Sequence, residues 1–448
     1  MSRILVVSHD VIGERMAGPA IRAVELSRVL AEEHDVTLAA PNQSDLDLGL
    51  TTVRYAYSDL SRLADGTDAV LVGGLTVALC PQLARTGVPL IVDIYDPFTL
   101  ENLQLFSQRD MPVRIDDSEG LLRAMLLQLR AGDLYLCASE KQRDFWIGML
   151  HAAGRLNPYT YDDDRSLRSL VDVVPFGVPE EPPAPVQRAL KGRHPGIGPD
   201  DFVAIWGGGV YDWFDPLTAI RGVGLAAAED PRIKLFFMGI RNPNPAVHRM
   251  RMVDECLALA DALQLTGSAV FFNDWVPYAR RAEYLLDADV GISLHHDQVE
   301  TAYSFRTRIL DYLWAGLPIV ATAGDSFAQA IGQRGIGRVL PAEDPHAVAG
   351  ALLELARGGE RAEMGRQART LAAELTWRRC AAPLLQYCRR PRPAADRAAG
   401  YHFMESVSAA PAAGGLGLAR KALDSLRHGG PAQLIGDARS YLQWRRGA

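Results

Sequence analysis

Two rhythms of apolar residues run along this chain. Short unbroken runs at Ile4–Ser8, Val36–Ala40, Ala69–Gly73, Leu90–Asp93, Leu134–Ala138 and Val171–Pro175 alternate with longer amphipathic stretches. Unbroken runs of this length predict strands buried on both faces. In the stretch Pro19–Glu32 the apolar residues Ile21, Val24, Leu26, Val29 and Leu30 recur on one side, which predicts a helix. The rhythm restarts after residue 200 with runs at Phe202–Trp206, Lys234–Met238, Val270–Phe272, Val290–Leu294, Pro318–Thr322 and Gly337–Leu340. Strand–helix alternation predicts parallel sheets covered on both faces by helices. The expected fold is therefore α/β, with two Rossmann-like halves.

Two breaks interrupt the pattern. Residues 175–199 read PFGVPEEPPAPVQRALKGRHPGIGP, too rich in Pro and Gly for regular structure. Residues 389–400 read RRPRPAADRAAG. The expected division is residues 1–180, a linker at 181–199, a second domain at 200–388, and a helical extension at 389–448. Ligands of open α/β sheets bind outside the carboxyl ends of the strands, so the expected site is a cleft between the two halves.

Composition narrows the function class. The 448 residues carry a net charge of −7, which argues against a nucleic-acid partner. Five cysteines without paired spacing argue against a disulfide framework or a zinc site and for a reducing compartment. The amino-terminal apolar run is too short for a secretion signal, and no run is long enough to span a bilayer. The expectation is a cytoplasmic protein. All but four of its 47 basic residues are arginine, so an anion site here would use guanidinium groups and backbone amides. Counted over residues 419–448, six Arg/Lys face two Asp. This basic tail reads either as a brace on the first domain or, through Tyr441, Trp444, Arg445 and Arg446, as a peripheral contact with an anionic membrane.

Four strand ends carry candidate chemistry. Trp206-Gly-Gly-Gly209 leaves bare amides for an anion, although three glycines equally serve a tight turn. In SFRTRILDYLWAGLPIVAT, residues 304–322, Arg306 and Arg308 stand at the positive end of a helix that Gly316 and Pro318 terminate. That placement suits a diphosphate. Asp311, one turn on, suits a ribose; the same residues also read as a helix start with its own salt bridge. LHHDQVETAYS, residues 294–304, offers Glu300 to sugar hydroxyls, and its adjacent histidines lack metal-ligand spacing. In the first half, SHDVIGERMAGPAIR places Gly13 and Gly18 before a helix, and VDIYDPF places Asp93, Tyr95 and Asp96 at a strand end. Asp96 precedes a proline and reads as a cap as readily as a catalytic acid.

Together these stretches resemble glycosyltransferase family 4 and its relatives, nucleotide-sugar enzymes of GT-B fold that retain anomeric configuration. SFRTRILDYLWAGLPIVAT is similar to the family's carboxy-domain signature, in which a basic residue and an acidic residue precede AxGxPVVA. VDVVPFGVPEE, NDWVPYARRAEYLLDADVGI and LCASEKQRDFW are similar to further family stretches. The resemblance implies a donor in the carboxy domain, an acceptor in the amino domain, and no metal or other cofactor. It further implies Arg308 on the diphosphate, Asp311 on the ribose, Gly208 and Gly209 near the phosphates, Gly18 in a loop reaching toward the donor, and Trp275, Val276 and Pro277 reading the base. The chain departs from the family in three ways. Tyr303 stands where the first of two glutamates is usual, leaving Glu300 as the nearest acid. VYDWFDP replaces the usual second basic residue, with Arg306 as the substitute. Tyr95, beside Asp96, stands near the usual amino-domain histidine.

The function these residues imply is metal-independent transfer of a sugar from a nucleoside-diphosphate donor to a glycan, a lipid-linked glycan or a secondary metabolite. Catalytic roles fall to Arg308, Glu300 and Asp96. The alternatives are an epimerase of the same fold, which would convert the donor without an acceptor, and a non-catalytic nucleotide-sugar-binding partner of a transferase complex.

Overall fold

The computed structural model describes residues 1–44, 46–184, 187–401 and parts of 422–439. Contacts divide the chain into two units. The first comprises Met1–Ile12, Arg22–Val174 and Ala381–Ala448; the second comprises Gly13–Ile21 and Pro175–Cys380.

The first unit holds seven strands: β1 (Arg3–Val7), β2 (Asp35–Ala40), β3 (Thr51–Arg54), β4 (Ala69–Gly73), β5 (Leu90–Asp93), β6 (Leu134–Cys137) and β7 (Val171–Val173). Their order is β3-β2-β1-β4-β5-β6-β7, and every pairing is parallel. Parallel strands need crossover connections, which cover both faces and make the strands uniformly apolar. Ile4 to Val7, Val70 to Val72 and Leu134 to Cys137 are accordingly all buried. Helix α1 (Gly18–Ala31) follows β1 and buries Val24, Leu26 and Leu30. Strand β3 has no counterpart among the predicted strands. Its sequence is TTVR, it lies at the sheet edge, and its residues are mostly exposed, so it leaves no apolar run to read.

The second unit holds β8 (Phe202–Trp206), β9 (Ile233–Phe237), β10 (Val270–Phe272), β11 (Val290–Ser293), β12 (Ile319–Thr322) and β13 (Gly337–Leu340), in the order β10-β9-β8-β11-β12-β13, again all parallel. Three helices position the site: α2 (Pro216–Glu229), α3 (Thr307–Ala315) and α4 (Pro345–Arg357). Gly316 stops α3 in the left-handed conformation, with φ of 70°, and its N–H bonds back to Leu313 O.

Neither break behaves as a loose connector. Within 175–199, Leu190 and Ile197 are buried, and the Leu190 and Lys191 amides both donate to Asp287 Oδ2 at 2.8 Å. Val178 bridges Thr376, and this stretch groups with the second unit. Burial by tertiary contacts holds an irregular backbone that local propensity alone would leave free. Residues 389–401 group with the first unit and contain a short helix, Ala395–Ala398. Its Asp396 meets Arg155 at 2.7 and 3.0 Å in a buried ion pair, and Ala394 N donates to Asp133 at 2.8 Å. The aromatic and arginine residues of the tail singled out for membrane contact, Tyr441, Trp444, Arg445 and Arg446, lie outside the described residues. Among the described residues no helix is long and apolar enough to cross a membrane.

Candidate functional site

In the second unit the chain winds outward from β8 to β10 on one side, then from β11 to β13 on the other. The β8/β11 boundary is the topological switch point, where the ends of two strands diverge and leave room for a ligand. The loop after β8 is Gly207-Gly208-Gly209, and the loop after β11 begins at Leu294-His295. The two loops are laced together. Phe214 bridges His295, and Asp215 N donates to Leu294 O at 3.1 Å.

The glycine loop has a reason at each position. Gly207 N donates to the Tyr312 hydroxyl at 2.7 Å. Gly208 has a φ of 73°, and a Cβ there would meet nothing within 4 Å, so its backbone stands open. The Tyr211 ring covers Gly209 so closely that a Cβ would lie 2.8 Å from it. Among the described residues, no bond ties down the Gly208 or Gly209 amide. Tyr312 is the loop's support: besides accepting from Gly207, its hydroxyl lies 2.8 Å from Ile292 O and 3.0 Å from Ile205 O. Burial pushes this phenol up to about 12. Tyr312→Phe is expected to lose about 1–3 kcal/mol of stability by stranding the buried Gly207 N–H and a carbonyl. A urea unfolding titration measures it, and an unchanged midpoint would show that the hydroxyl supports nothing.

Arg308 enters this loop from the first turn of α3. It is 8% exposed, and its Nη2 donates to Gly209 O at 3.1 Å. Its Nη1 is buried with no hydrogen-bond partner. No carboxylate pairs with it among the described residues; the ring centroids of Trp206 and Phe214 lie 4.4 and 4.2 Å from its guanidinium carbon. Burial lowers the guanidinium to about 10, and the like charge of Arg306 acts in the same direction. It remains a cation at neutral pH, desolvated and uncompensated.

The other predicted residues are placed differently. Arg306 and Glu300 are bound to each other, with contacts of 3.0 and 2.7 Å and side chains 3% and 2% exposed. Asp311 does not pair with Arg306 or Arg308; its Oδ1 accepts from Arg281 Nε at 3.0 Å, across 30 residues of sequence. Its side chain stays partly exposed. Trp275, Val276 and Pro277 follow β10, and Val276 N already donates to Met238 O at 3.1 Å. Trp275 forms one wall of a cavity of about 200 Å³ that also touches Gly209, Tyr211, Asn242 and His248. Gly18 falls in the stretch 13–21 that groups with the second unit, where Met16 O accepts from Trp275 Nε1 at 3.2 Å. Asp96 belongs to the first unit and is half-buried beside Tyr95. Burial, with the charges of Asp96 and Asp93 added, raises the Tyr95 phenol well above its ordinary value.

At the strand ends several residues pair in ways the sequence did not show. His295 is fully buried and meets Asp325 at 3.1 Å, while His296 turns to Glu343 at 2.7 Å. Burial opposes ionisation of Asp325, but the hydrogen bond and charge of His295, with Arg306 nearby, hold its carboxyl below the usual range. In the first unit the switch point lies between β1 and β4. His9 stands there against Gly74, where a Cβ would lie 2.8 Å from the imidazole. Burial lowers the His9 imidazole, against the pull of Asp10 and Asp93. Next to it Asp93 pairs with Arg22 at 2.5 and 2.9 Å. Position at the end of β1 was the one available signal for His9; Gly74 and Asp93 sit far away in sequence, and only Asp10 adjoins it.

Known proteins share this architecture. A sucrose-phosphate synthase from Thermosynechococcus elongatus superposes with a TM-score of 0.61 at 16% identity, covering 87% of this chain and 99% of the other. Anabaena HepE, solved in complex with UDP and glucose, superposes equally well at 12% identity, covering 87% and 100%. WaaG, a glycosyltransferase of lipopolysaccharide biosynthesis, reaches 0.58 at 14% identity, covering 87% and 99%. Residues 217–357 match the family model described as Glycosyl transferases group 1. The chain has the GT-B fold, and the family-model match falls within its second unit. Among curated proteins, the D-inositol 3-phosphate glycosyltransferase of Acidothermus cellulolyticus is 28% identical over 233 residues. That match covers 50% of this chain, and the chain spans about half the length of that relative. The matched region of this GT-B chain begins one residue inside α2 and ends with α4, so it contains Arg306, Arg308 and Asp311.

Proposed function

We propose that this GT-B chain transfers a sugar from a nucleoside-diphosphate donor to an acceptor, with the diphosphate seated on the Gly208 and Gly209 amides and Arg308. One observation carries the reading. Arg308 is a buried cation with an unbonded N–H beside the open Gly208 backbone and the unbonded Gly209 amide, at the switch point of its sheet. Burying a charge without a partner is costly, and a bound anion removes the cost. Breaking a glycosyl–phosphate bond passes through an oxocarbenium-like transition state while negative charge grows on the departing diphosphate. A guanidinium and amide dipoles already aimed at that charge stabilise it more in the transition state than in the ground state.

The remaining roles follow the same reading. The cavity walled by Trp275 takes the nucleobase, and the exposed side of Asp311 takes the ribose. The first unit takes the acceptor, its His9, Asp93 and Asp96 gathered at the strand ends. HepE is solved with UDP and with UDP-glucose, and WaaG acts in lipopolysaccharide biosynthesis; both support a nucleotide-sugar donor and a glycan-type acceptor here. The transfer runs without a metal and with retention of anomeric configuration. Glu300 is committed to Arg306, which weakens the epimerase alternative by removing an acid it would need. A thermal-shift panel of UDP-, GDP-, dTDP- and CMP-sugars tests the reading. The matching donor at 100 times its Kd is expected to add about 2.7 kcal/mol of stability. No shift with any sugar nucleotide, together with no turnover, would overturn it.

A further inference from the structure

We propose that aromatic faces, not carboxylates, hold Arg308 in place, and that Phe214 is the positioning residue that does so; the proposal rests on the reading of Arg308 as a diphosphate ligand. The guanidinium lies in a wedge between Trp206 and Phe214, whose ring centroids are 6.3 Å apart with planes inclined by 62°. A carboxylate partner would fix the side chain but would cancel its charge and occupy its N–H groups. A ring face attracts the cation through its quadrupole and occupies no N–H group. Arg308 thus keeps its fork for a ligand: one N–H is spent on Gly209 O, and Nη1 stays bare.

Phe214 is itself held from several sides. Its backbone bridges His295, and the next residue, Asp215, caps α2 by accepting from Thr218 N at 3.0 Å. Its ring also carries Arg306, whose guanidinium carbon lies 4.8 Å from the centroid. Glu300 neutralises that second cation in a buried pair. One ring therefore bears two guanidiniums of different standing: Arg306 is closed off by an acid, and Arg308 is left open. This gives a physical role to VYDWFDP. Where the resembled family has a second basic residue, this chain has an aromatic loop that presents a single cation.

Chemical rescue tests the wedge in the full-length protein. The probes are UDP, GDP and dTDP, with affinity read by titration calorimetry for whichever binds the wild type. Arg308→Ala is expected to weaken binding at least tenfold. Guanidinium chloride well below denaturing concentrations is expected to restore part of the loss, and potassium chloride at equal ionic strength to restore none. Phe214→Leu alone is expected to weaken binding about tenfold, Phe214→Tyr to stay near wild type, and Arg308→Ala with Phe214→Leu to show no rescue. Circular dichroism checks each fold, and Phe214→Met replaces the leucine variant should that one not fold. Equal rescue in the single and double variants, or full affinity in Phe214→Leu, would overturn the wedge while leaving the diphosphate reading intact. Wild-type affinity in Arg308→Ala, or no binding of any of the three by the wild type, would instead overturn that reading and the wedge with it.

Discussion

Arg308→Met is expected to lose donor turnover by about 10²–10³-fold, or about 2.7–4 kcal/mol of barrier, and at the same time to gain thermal stability. The two signs come from one fact. The guanidinium is buried, has no carboxylate partner, and is lowered to about 10 by that burial. The folded protein is therefore holding a charge at a cost, and a neutral side chain of similar length removes the cost while keeping the packing against Trp206 and Phe214. The same charge is what the departing diphosphate needs. Stability set aside at a site for the sake of activity is a familiar trade. The check is a pair of measurements on one preparation: initial rates with the donor found by thermal shift, and a melting curve without it. A variant that keeps its rate removes Arg308 from the chemistry. A variant that loses both rate and stability shows that the arginine is a structural residue.

The second large effect lies far from that loop, in the first unit. Asp396→Ala is expected to destabilise the protein by about 3–5 kcal/mol, because it leaves Arg155 charged and buried without its acid. Arg155 is tied to more than Asp396. Its Nη1 reaches Gly132 O and the Tyr135 hydroxyl, both at 2.7 Å, so the guanidinium cannot swing out to water without breaking those bonds. Burial opposes ionisation of Asp396, but the hydrogen bond and charge of Arg155, with Asn157, hold its carboxyl below the usual value. A carboxyl depressed in the folded state contributes stability above its unfolded value near 4, and that stability disappears as pH falls through the folded value. Urea unfolding at pH 7 and again below pH 4 reads both effects. Replacing both partners, Arg155→Met with Asp396→Leu, is expected to recover most of the loss. A double variant as unstable as the single one would show that the segment is anchored by something other than this pair.

The strands were legible because parallel strands buried on two faces must be apolar without interruption. β4, β5, β8, β10 and β13 have the predicted bounds, and the others shift by one or two residues. β3 escaped because an exposed edge strand needs no apolar run. The stop of α3 was legible because Gly316 adopts a backbone conformation that favours glycine. Residues 175–199 were not legible, since Pro and Gly describe what a backbone avoids locally and say nothing of what packs over it.

The candidate site divides along the same line. From the sequence alone one can determine that a glycine loop follows one strand and that a short helix brings two arginines and an aspartate to another. Periodicity fixes those placements, because strand and helix geometry repeat over neighbours. Which arginine is free was decided only by the tertiary structure. Glu300 lies six residues from Arg306 and takes it; Arg281 lies 30 residues from Asp311 and takes it; Arg308 is left between two rings. Charge pairing depends on distances across the fold, and desolvation depends on everything packed around a group. Neither quantity exists until the chain has closed on itself.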